Sequence, residues 1–149
     1  MNDRSDQPCT PRPSADPDAG SDLPPSLDAI EALALAARDA LPDPFRQAAR
    51  AVRLHVAELA PEDMLRDLGI DDPFSLTGLY EGVPLTEVAF SDPQGPSVIW
   101  LFQRALLDEW IARGDIGLAD LVTHIYVHEL AHHFGWSDAQ IAKIDRWWE

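Results

Sequence analysis

Four of the chain's five histidines fall between His124 and His133, and this cluster constrains the fold more than any other feature. The segment from Asp120 to Phe134 has helical spacing, with Leu121, Val122, Ile125, Leu130 and Ala131 supplying much of a buried face. Gly135 stands where a left-handed residue ends a helix. Within the helix, His128-Glu129-Leu130-Ala131-His132 reads H-E-x-x-H. Residues four apart lie one turn above the other on one face, so the two imidazoles can reach one metal ion. Neutral imidazole is a good zinc ligand, and three protein ligands plus water define a catalytic zinc site. The Glu129 carboxylate, beside that face, can take a proton from water whose pKa the metal has lowered. At average composition, this string arises by chance in a chain of this length on the order of half a per cent of the time.

A third ligand is needed. Asp138 extends the string to H-E-x-x-H-x-x-G-x-x-D, and a sharp turn at Gly135 can swing it back toward the metal. Asp138 also suits the first turn of a last helix, which Ser137 and Gln140 cap and Ile141, Ile144, Trp147 and Trp148 continue. His124, Asp145 and Glu149 are weaker competitors. His133 points away from the metal face and reads as a packing group or a neighbour of the ligands. His55 reads as structural. Tyr80 reads as a core tyrosine, with stabilisation of an oxyanion as its functional alternative. The tryptophans read as packing residues, with Trp136 a candidate to line a pocket.

The rest of the chain frames this helix. Residues 1–26 hold six of the thirteen prolines and one large aliphatic residue, Leu23. Such a segment buries too little apolar surface to offset its ordering entropy and reads as a disordered, Pro-rich acidic tail. Residues 27–149 then form one domain, long enough for a core without disulfides. Ser26 caps an opening helix that ends at Leu41-Pro42. Ala51 to Leu59 alternates like a half-buried strand, and Pro61 to Asp63 begins a short helix. Asp71 to Pro73 forms a turn. Leu76 to Val83 and Leu85 to Phe90 are short, glycine-punctuated and β-like, and Ser91 to Pro96 is a loop. Val98 to Phe102 is a buried strand, and Arg104 to Arg113 a helix closed by Gly114. Strands mixed with separated helices give an α+β class.

Composition removes several functions. The net charge is −15, with one lysine beside ten arginines, which disfavours nucleic acid and anionic membranes as partners. No run approaches the roughly 18–20 apolar residues of a membrane span, and Met1 to Gln7 is polar, so an intracellular protein is expected. Cys9 is the lone cysteine, so a zinc ion must take imidazole and carboxylate ligands.

His128-Glu129-Leu130-Ala131-His132-His133-Phe134-Gly135 and Leu79-Tyr80-Glu81-Gly82-Val83-Pro84, in this order of elements, resemble the small bacterial zincin-like metallopeptidase family over roughly residues 27–145. The resemblance implies a minimal zincin-like fold, a small mixed sheet packed on an active-site helix, with substrate pairing along an edge strand. It implies a cytoplasmic, zinc-dependent peptidase acting on a peptide or protein substrate. By the motif match, His128, His132 and Asp138 are metal ligands and Glu129 is the base. The string also resembles that of the larger metzincins, but the only methionines, Met1 and Met64, lie upstream of it, so there is no methionine turn. The rival expectation keeps the fold and makes the protein a non-enzymatic binding domain with a structural or empty metal site. It is motivated by the short stretch after Asp138.

Overall fold

The computed structural model describes residues 24–83 and 97–136. In chain order the elements are α1 (Leu27–Asp39), α2 (Phe45–Ala49), β1 (Arg53–Ala57), α3 (Glu62–Leu68), a 3-10 turn (Pro73–Ser75), β2 (Gly78–Glu81), β3 (Val98–Phe102), α4 (Gln103–Arg113) and α5 (Leu118–His133). The fold is α+β, as the mixed pattern of strands and helices predicts.

The sheet has the order β1-β3-β2, with β1 parallel and β2 antiparallel to β3. The continuous apolar run of β3 is explained by its central place, since both of its faces are covered. Ile99 and Leu101 point into one core with Leu54 and Val56 of β1, Tyr80 of β2, and the buried faces of α1 and α5. Phe102 and Trp100 point the other way, where Ala60, Leu65 and Ala105 form a second, smaller core. Ile99, Leu101, Phe102, Leu106 and Leu121 are fully buried. Each such side chain contributes about 1.5–3 kcal/mol by leaving water.

Local signals set the helix ends. The Ser26 hydroxyl accepts from the Ala29 amide at 3.1 Å, satisfying one of the orphan donors at the start of α1. Gly114 closes α4 at φ +72°, and the Trp110 indole donates to the Ile116 carbonyl at 2.9 Å across the turn into α5. Helix α2 was not anticipated. Five residues after Pro44 are too few to show periodicity, and the element is held by Phe45, whose ring meets Phe134 edge-on at 5.4 Å.

α5 begins two residues before the expected Asp120, so that Asp120 lies in its first turn. Its burial is not confined to one stripe. Tyr126, Val127 and His133 are buried together with Leu121, Val122, Leu130 and Ala131, whereas Ile125 is only half-buried. The helix therefore runs through the core, with α1 on one side and the sheet on the other. The strand expected over Leu85 to Phe90, the loop to Pro96, the last helix and the N-terminal tail through Leu23 lie outside the described residues. Among the described residues no helix is long and apolar enough to cross a membrane.

Candidate metal centre

α5 approaches β2 closely, and Gly78 makes that approach possible. A Cβ at Gly78 would lie 2.8 Å from Ile125 Cγ2, 3.2 Å from the Trp100 carbonyl oxygen and 3.4 Å from Glu129 Cγ. The stem of Glu129 thus crosses the strand where the strand has no side chain. One residue back and three residues on, His128 and His132 meet edge-on along the neighbouring face, with ring centroids 5.2 Å apart and planes at 78°. Both are half-buried. His124 continues the same row toward the start of the helix, its ring 6.4 Å from that of His128.

The end of α5 is closed by paired backbone bonds. The Gly135 amide donates to the His132 carbonyl at 2.9 Å, and the Trp136 amide to the Ala131 carbonyl at 3.1 Å. With Gly135 at φ +88°, this is the Schellman arrangement, which reverses the chain direction after the helix. The carbonyl of His132 is therefore held by the turn that leads on toward Asp138. Asp138 itself, like Asp145 and Glu149, lies outside the described residues. Among the described residues no group of three or more His, Cys, Asp or Glu side chains is arranged to hold a metal ion.

His133 faces away from this row, as its place in the helix predicts. It is 6% exposed, and its Nδ1 lies 2.8 Å from the Tyr80 hydroxyl. Burial lowers its pKa below the ordinary imidazole value, favouring the neutral ring. Burial also raises the pKa of Tyr80, against a smaller opposing effect of its hydrogen bond with Ser97. Tyr80 is half-buried rather than fully in the core, and its hydroxyl also reaches Ser97 Oγ at 3.1 Å and the Val83 carbonyl at 3.3 Å. His55 lies on the opposite side of the sheet, exposed and edge-on to Trp100 at 4.5 Å. Trp136 lines a small apolar void with Leu41, Phe45, Val127 and Leu130. Gly78 and Ser97 were missed from the sequence. A glycine opening a short strand reads as punctuation, and no pattern marks a lone serine before β3.

The family model described as zincin-like metallopeptidase matches residues 49–148. The chain belongs to the zincin-like metallopeptidase family. The matched span takes in the sheet, Tyr80, the whole of α5 and Asp138, and leaves α1 and the N-terminal tail outside. Among the described residues, a mixed three-stranded sheet packed on α5 is consistent with a zincin-like fold. No curated protein matches the chain. The donor set of this zincin-like chain suits zinc: two imidazoles on adjacent turns supply nitrogen ligands, and a carboxylate stands one residue from the first.

Proposed function

We propose that this zincin-like protein is a cytoplasmic, zinc-dependent peptidase, with His128 and His132 as metal ligands, Asp138 as the third ligand and Glu129 as the general base. The reading rests on one observation: the family match spans a helix on which His128 and His132 lie 5.2 Å apart on one face. Zinc held there supplies Lewis acidity, which lowers the pKa of water and polarises a carbonyl. Glu129 accepts a proton from the attacking water and passes it to the departing amine, as a general base and then a general acid. Gly78 leaves room for the Glu129 stem against β2, a strand along which an extended peptide can align. The acid excess of the chain disfavours nucleic acid, leaving a peptide or protein as substrate.

The test is metal content and peptide cleavage by full-length protein purified without chelator. About one zinc per chain is expected. Glu129→Gln is expected to keep the zinc and lose about 10²–10⁴-fold in cleavage rate, the usual contribution of a positioned base. Asp138→Ala is expected to lose zinc where His124→Ala keeps it. Absence of stoichiometric zinc from the wild-type chain overturns the proposal.

A further inference from the structure

Three stretches of chain meet at the Tyr80 hydroxyl. Val83 follows β2, Ser97 precedes β3 and His133 is the last residue of α5, and the hydroxyl lies 3.3, 3.1 and 2.8 Å from their polar atoms. A phenol carries one proton and two acceptor positions, so it can serve three partners at once. The Val83 carbonyl only accepts, and the Tyr80 hydroxyl can donate to it or to Ser97 Oγ. An acceptor position of the phenol remains for a His133 tautomer that carries its proton on Nδ1.

The space for this meeting is made by Gly82. A Cβ there would fall 2.6 Å from Ser97 Oγ and 2.9 Å from the Tyr80 hydroxyl, and the residue adopts φ +148°, which side-chain-bearing residues rarely reach. The imidazole of His133 is buried, so Nδ1 has little access to water as an alternative partner. Two of the three contacts come from the sheet side and fix the hydroxyl. The third holds the end of α5, one peptide link from His132, whose own carbonyl is bonded by Gly135.

We propose that Tyr80 is a positioning residue for the metal centre: its hydroxyl, anchored by Val83 and Ser97, holds His133 and so fixes the last turn of α5 and the imidazole of His132. The inference rests on the metal-site reading above and extends it to a residue outside the H-E-x-x-H string. Partners that hydrogen-bond a metal ligand directly are worth about 10–100-fold in metal affinity. Tyr80 acts one residue removed, so an effect at the lower end is expected.

The experiment measures the zinc affinity of the full chain by competition with a chromogenic chelator, together with the melting temperature of the metal-free protein. The wild type is compared with Tyr80→Phe, Ser97→Ala and Trp110→Phe. Trp110→Phe removes a hydrogen bond at the far end of α5 and controls for simple loss of stability. Tyr80→Phe is expected to weaken zinc binding about tenfold, and Ser97→Ala to weaken it in the same direction. Trp110→Phe is expected to lower the melting temperature with wild-type zinc affinity. Wild-type zinc affinity in Tyr80→Phe, with only a lower melting temperature, overturns the inference. Should Tyr80→Phe fail to fold, wild-type affinity in Ser97→Ala overturns it equally. A wild-type chain that binds no zinc overturns the metal-site reading itself, an outcome distinct from loss confined to the variants.

Discussion

Replacing Gly78 with alanine is expected to push α5 off the sheet. The new methyl would stand 2.8 Å from Ile125 Cγ2. Carbon atoms pack at about 3.5–4.0 Å, so the helix or the Ile125 side chain must retreat by about 0.7 Å or more. The second obstacle, the Trp100 carbonyl at 3.2 Å, belongs to the backbone of the central strand and cannot swing aside. Overpacking of this kind costs about 1–3 kcal/mol. Alanine recovers about 0.4–1 kcal/mol of that by restricting the unfolded chain. The net destabilisation is about 1–2 kcal/mol, read as a lower urea midpoint with an unchanged slope. For a domain between the 60–100 and 150–250 residue classes, it corresponds to about 4 °C in melting temperature per kcal/mol. Because the methyl would also stand 3.4 Å from Glu129 Cγ, peptide cleavage is expected to fall in the fraction of protein that remains folded. Ile125→Ala removes the nearest obstacle, so in the double-mutant cycle it is expected to rescue part of the Gly78→Ala loss, with a favourable coupling of about 0.5–3 kcal/mol. A Gly78→Ala protein with the wild-type urea midpoint, or a cycle with no coupling, would refute the close-approach argument.

Two other measurements probe the frame around the site. The phenol of Tyr126 is pushed up to about 12, chiefly by burial, with Arg38 opposing and Asp39 adding to the rise. The folded chain thus holds this proton when the unfolded chain has lost it, so the stabilisation is fully present below pH ~10 and is lost as pH rises through about 12. Tyr126→Phe is expected to flatten that alkaline limb in urea titrations, and an unchanged limb would refute it. Ser26→Ala removes the cap of α1 and is expected to cost about 1 kcal/mol in the same assay.

What could be read from the sequence follows from where the physics is local. The Ser26 cap, the left-handed glycines after α4 and α5, and the apolar run Val98–Phe102 are decided by a few adjacent residues, and the structure places them as the patterns predict. The row formed by His128 and His132 is equally local, because a helix alone sets a four-residue repeat. The buried face of α5 was harder. Alternation and stripes reveal a helix with one wet side, whereas α5 is covered by α1 and the sheet, so Tyr126 and Val127 go inside although no stripe marks them. The meeting of Tyr80, Ser97 and His133 joins positions far apart in the chain, and nothing short of the assembled sheet brings them together.

The packing of α5 between α1 and the sheet has a consequence for the candidate metal centre. Amides on the buried face of such a helix are expected to exchange mainly when the core opens, with or without a ligand at its other face. Small zinc domains that are unfolded without metal spend much of the binding free energy on folding. On the metal-site reading proposed above, zinc would bind to a helix that is already packed in the domain core. Affinity at the proposed centre is then expected to reflect the rigidity of its ligands' support. Chelation is expected to strip the metal while leaving the amide-exchange pattern of α5 in place.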